Sequence, residues 1–110
     1  MIDRKASVTA YKERKAVCGI YRLHCAASGR VWVGFAGDME KIRNRLDFTL
    51  RTGSSPHRSL QEDWRSHGEA AFSFAVMETR EEEDDAGFAR DAWRKARLAY
   101  WRDELGAEAI

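Results

Sequence analysis

The chain has 110 residues, 44% of them hydrophobic and 34% charged, with a formal net charge of +1. That length supports one hydrophobic core rather than two, and no run approaches the ~20 apolar residues that span a bilayer. The opening Met1-Ile2-Asp3-Arg4-Lys5 is charged and has no apolar run behind it; no signal peptide is visible and a cytoplasmic protein is expected.

The near-zero charge conceals an asymmetry. Residues 1–67 carry thirteen Lys and Arg against seven Asp and Glu, a balance of +6, and residues 68–110 carry the compensating −5. Nine of the thirteen are arginines. A basic half of this kind suits contact with a polyanion. It equally suits plain solvation and an intramolecular match to the acidic half.

Residues 1–16 space Ile2, Val8 and Tyr11 at helical intervals among Lys and Arg, which predicts a leading helix. Val17 to Cys25 reads as a strand, with Val17, Gly19, Tyr21 and Leu23 on one face and Cys18, Ile20 and Arg22 on the other. Cys18 and Cys25 therefore point to opposite faces, as two reduced, half-buried thiols; a redox or metal role for His24-Cys25 is the alternative. Ala26 to Arg30 supplies a glycine-containing turn, and Val31 to Phe35 a second strand, completing an antiparallel hairpin. Asp38 is a good N-cap for a helix ending before Gly53, whose Met39, Ile42, Leu46 and Leu50 form one buried face.

A second helix follows Ser54-Ser55-Pro56 and stops at Gly68, anchored by Leu60 and Trp64. Ala71 to Glu78 alternates, setting Phe72, Phe74, Val76 and Glu78 against Ser73, Ala75 and Met77, as a third strand. From about Asp84 a long helix runs to Glu104. The acidic run at residues 81–85 cannot converge on one ion and reads as a solvated helix start. The predicted order is α-β-β-α-α-β-α: an α/β (α+β) domain with a three-stranded antiparallel sheet covered by helices. The domain covers residues 17–105, followed by a tail at 106–110.

Gly19-Ile20-Tyr21 on the first strand and Trp32-Val33-Gly34 on the second resemble the paired motifs of the GIY-YIG nucleases. Asp38-Met39-Glu40-Lys41, His57 to Trp64 with His67-Gly68, Phe72 to Glu78, and Tyr100-Trp101 with Leu105 extend the resemblance over residues 17–105. The resemblance implies phosphodiester hydrolysis by two tyrosines, a helix arginine and a glutamate holding a divalent metal. Such a site offsets the charge of the transition state and activates water on the ion.

Carried over by position, most of these parts are replaced. Tyr21 is kept. The second tyrosine is Trp32, which retains an N–H donor but no phenol. The arginine position falls on Ile42, with Arg43 and Arg45 beside it; a histidine position falls on Leu46. The glutamate position falls on Leu98, in an apolar stripe with Trp101 and Leu105. A late asparagine has no counterpart. Asp91 lies about two turns away, ~10 Å along the helix. No metal is expected.

Three readings follow. The first is a degenerate nuclease fold that binds nucleic acid, DNA above all, or a protein partner without cutting. Its phosphate contacts would come from Arg43, Arg45, Arg51 and Arg58, with Trp32 either stacking on a base or filling the vacated cleft. The second is an active Mg2+- or Mn2+-dependent endonuclease rebuilt around Tyr21, Trp32, Arg45 and His57, with Glu78 or Asp91. The third is a protein- or small-molecule-binding domain that reuses the cleft. Bland readings stand beside these: Tyr21 as a half-buried strand aromatic, the arginines as solvated helix positions, His57 as a surface histidine.

Overall fold

The computed structural model describes residues 17–81 and 87–110; the expected leading helix and most of the acidic run lie outside them. Two strands open the fold, β1 (Val17–Cys25) and β2 (Val31–Ala36). They pair antiparallel with Tyr21 opposite Gly34 and Leu23 opposite Trp32. The turn between them closes through Cys25 N–H to the Arg30 carbonyl at 2.9 Å and Gly29 N–H to the Cys25 carbonyl at 2.8 Å.

Helix α1 (Met39–Thr52) begins where the sequence demands it. Asp38 Oδ1 accepts from the backbone N–H groups of Glu40 and Lys41 at 3.0 and 3.4 Å, satisfying donors that the first turn leaves open. Gly53 ends the helix in the left-handed region, φ 75°. Leu46 and Leu50 are buried and Met39 and Ile42 pack beside them, as their spacing predicts. Helix α2 (Arg58–His67) follows, anchored by the fully buried Leu60. Buried Gln61 ties the two helices together: its amide donates to the Leu50 carbonyl at 3.0 Å and its oxygen accepts from Ser55 N–H at 3.3 Å. A short 3-10 turn at Glu69–Ala71 leads into β3 (Phe72–Glu81), which pairs antiparallel with β1.

One correction concerns β3. Tyr21 pairs with Val76 but Ile20 pairs with Glu78, so Met77 is an extra residue in a bulge. The alternation therefore changes phase. Phe72 and Phe74 stay on the α1–α2 side, whereas Glu78 is turned to helix α3 (Gly87–Leu105), where its carboxylate accepts from Arg97 and Trp101. Phe35 faces α3 as well, edge-on to Trp93 at 6.3 Å. The sheet is thus covered on both faces.

A second correction concerns strand count. The sheet has four strands, in order β3-β1-β2-β4. The expected tail supplies β4 (Glu108–Ala109), parallel to β2 and secured by Ile110 N–H on the Val33 carbonyl at 2.9 Å. Gly106, at φ 60°, lets the chain turn back from α3. Cys18 and Cys25 are free and fully rather than half buried.

A close packing constraint joins the two motif strands. A Cβ placed on Gly34 would stand 2.4 Å from the Tyr21 hydroxyl and 2.6 Å from its ring carbon Cζ. Gly34 is what lets the ring cross the hairpin. Gly34→Ala is expected to lower stability by about 1–3 kcal/mol through overpacking, read as a fall in the urea midpoint. In a Tyr21→Leu background the added loss should shrink, because the obstructing ring is gone.

Candidate functional site

Tyr21 leaves only 3% of its surface exposed and stacks on Phe74 with ring centroids 5.7 Å apart. Burial penalises the phenolate and pushes the phenol up to about 12, so the group stays protonated at neutral pH. The Arg43 guanidinium lies over the Phe74 ring, 5.5 Å from its centroid. Tyr21 and Arg43 thus share one aromatic neighbour. Between α1 and β3 lies a groove of about 230 Å³, with Leu23, Arg43, Asp47, Trp64, Glu69 and Phe74 among its lining residues.

Trp32 is fully buried. Its indole N–H donates to Ser59 Oγ at 3.0 Å, and Ser59 in turn donates to Glu108 Oε2 at 2.6 Å. Phe72 stacks on its ring at 5.9 Å. No face is left to receive a base, so the stacking reading of Trp32 is corrected: the residue fills the interior. His57 heads α2 without a side-chain cap bond. Burial lowers its pKa, and the nearby Glu108 carboxylate opposes that shift.

The arginines divide into two groups. Arg51 is held by Glu69 at 2.8 Å and Asp47 at 3.4 Å, and Arg58 by Glu62 at 3.3 Å. Arg43 and Arg45 are exposed on α1. Ile42, at the family's arginine position, packs against the core cluster. Leu98, at its glutamate position, is half-buried on α3 between the half-buried Arg97 and the exposed Ala99.

The residues do not fit the metal that the family resemblance implies. Leu98 offers hydrocarbon, Glu78 is engaged by Arg97 and Trp101, and Asp91 pairs with Arg94 at 3.7 Å on an exposed turn. The structure therefore brings Tyr21 and Arg43 around Phe74, and Trp32 and His57 around Glu108. Arg51 and Arg58 remain in local ion pairs. Sequence reasoning missed Ser59, Gln61 and Glu108, whose partners lie 27, 11 and 49 residues away in the chain. A serine one position before the buried Leu60 was the only available signal for Ser59.

Two titrations follow. Tyr21 is expected to ionise near pH 12, after ordinary tyrosines, in a spectrophotometric titration. Because its folded pKa is raised above 10, the folded state holds the proton longer than the unfolded chain. Stability contributed by the neutral phenol is full below pH 10 and is lost between 10 and about 12, by about 2–3 kcal/mol. His57 has the opposite sense: its folded pKa is lowered from 6.5, so the unfolded chain takes the proton first. Stability should fall as pH drops below about 6.5, and Glu108→Gln should shift the His57 titration, followed by NMR, further down.

No protein-family profile matches the chain, and no curated protein sequence matches it. Two solved structures do. The chain is similar to the catalytic domain of the homing endonuclease I-TevI, with 26% identity over 84% of this chain and 97% of that one and a TM-score of 0.69. It is similar also to a glutamate-to-alanine mutant of the catalytic domain of intron endonuclease I-TevI, with 27% identity over 82% and 84% of the two chains and a TM-score of 0.67. With the Gly19-Ile20-Tyr21 and Trp32-Val33-Gly34 strands paired in register, the chain carries a GIY-YIG nuclease-type fold.

Proposed function

We propose that this GIY-YIG-like domain binds nucleic acid, DNA above all, and does not cleave it by the mechanism of its fold relatives. One observation carries the reading. Helix α3 presents Leu98 where the resemblance puts a metal-holding glutamate, and Glu78 on β3 and Asp91, two turns earlier on the same helix face, are both paired with arginines.

Binding itself is supported by chemistry that survives. The solved structures most of the chain overlays are described as endonucleases. Lys41, Arg43 and Arg45 are all exposed on α1, Lys41 and Arg45 on one side of the helix and Arg43 toward the groove, and positive charge of this kind suits phosphate contacts that position without reading sequence. The groove below them is bounded by Arg43, with Asp47 and Glu69 also in its lining. These carboxylates disfavour a phosphate chain inside the groove itself.

A cleavage and binding titration on single- and double-stranded DNA and RNA tests this. No Mg2+- or Mn2+-dependent cleavage is expected, together with a binding constant that falls with salt. Arg43→Ala/Arg45→Ala should flatten the log–log salt slope by about two. Cleavage by the wild type that Tyr21→Phe abolishes would sink the proposal. Salt-independent binding, or none, would favour a protein or small-molecule ligand for the groove. A gain of metal-dependent cleavage in Ile42→Arg/Leu98→Glu would tie the loss to these two positions.

A further inference from the structure

The far end of the hairpin holds a second cluster, separate from the Tyr21 region. Cys25 Sγ, an Asp63 carboxylate oxygen and a His67 ring nitrogen all lie within 4.8 Å of one another. We infer that Cys25, Asp63 and His67 form a binding site for a zinc-class divalent cation, with water completing the fourth position.

The geometry is built from both sides. Asp63 and His67 are four residues apart on α2, which sets them one above the other on one face. Cys25 ends β1, and its backbone is fixed on both sides of the turn by the bonds to Arg30 and Gly29. Ala26 N–H donates to the Ala71 carbonyl at 2.8 Å, holding the next residue against the entry to β3. The carboxylate is oriented from outside: Ser28 Oγ donates to Asp63 Oδ2 at 2.5 Å. A hydrogen-bonded carboxylate of this kind is the usual support for a metal ligand.

The donor set selects the ion. One thiolate, one imidazole and one carboxylate suit a borderline-soft cation and not the hard, oxygen-seeking Mg2+ or Ca2+. At zinc bond lengths of ~2.0–2.3 Å, tetrahedral ligand atoms stand roughly 3.5 Å apart. The remaining closure is at most about 1 Å, and His67, an exposed side chain at the end of α2, has room to supply its share. Cys25 is fully buried and the Asp63 side chain is 13% exposed. The open fourth position therefore faces outward, beside His67.

Among the described residues Arg30 competes for the carboxylate, with Nη1 3.8 Å from Asp63 Oδ1 and its side chain 54% exposed. A pair that long and that wet is weak and yields to a divalent ion. On loading, the Cys25 thiol gives its proton to water as the sulfur–metal bond forms. The bound ion would fasten α2 to the β1–β2 turn, and it requires no nucleic acid.

Cobalt titration of the untagged, reduced protein tests the site, followed by displacement with zinc. The wild type should bind one equivalent and show a sulfur-to-cobalt charge-transfer band. Zinc at a hundredfold excess over its Kd should favour the folded state by about 100-fold, seen as a higher Tm. His67→Ala, at an exposed position that leaves the core intact, should weaken binding by at least the ~10–100-fold that follows loss of a supporting group. Cys25→Ser should abolish the band, while Cys18→Ser, on the opposite face of β1, should keep it. Absence of the band in the wild type would overturn the assignment. So would unchanged affinity in His67→Ala, whether or not the buried Cys25→Ser variant folds.

Discussion

The passage of the Tyr21 ring across Gly34 is the constraint on which the remainder of this fold rests. Two strands paired in register bring the ring over a residue that has no side chain, and no other residue type leaves room there. From that crossing the aromatic interior is laid out in order. Phe74 stacks on Tyr21, Phe72 stacks on Trp32, and Trp64 tilts against Phe72 at 5.2 Å. Helices α1 and α2 then close over these rings with Leu46, Leu50 and Leu60. The motif is in this sense a packing device.

The same replacement logic runs through the site. Trp32 gives up a phenol and gains an inward N–H bond that reaches Ser59 and, through it, the last strand. Ile42 gives up a guanidinium and gains contact with the core. At both positions a side chain without an ionisable group packs on or in the core. Lys41, Arg43 and Arg45 stay exposed on α1, where solvent screens their charge.

Much of this was legible in the residues. Asp38 and Gly53 bracket α1 because capping chemistry is local, and the Met39, Ile42, Leu46, Leu50 stripe is a property of consecutive turns. The hairpin motifs were readable for the same reason. What escaped was non-local or phase-dependent. Strand β4 is two residues long, too short to show a period, and is defined only by its partner β2. The meeting of Cys25 with Asp63 and His67 depends on α2 docking against the hairpin turn, which no spacing within either segment encodes. Trp32 was equally consistent with a surface and an interior place until Ser59 was seen to accept its N–H.

The bulge at Met77 carries a consequence of its own. One surplus residue lets a single strand serve two layers, feeding aromatic rings to α1 and α2 at one end and a carboxylate to α3 at the other. Information about which layer Glu78 belongs to is therefore stored in chain length rather than in side-chain identity. Shortening β3 by that residue would rotate its second half by half a period, leaving Arg97 and Trp101 facing the wrong neighbours while every contact around Phe74 stayed in place.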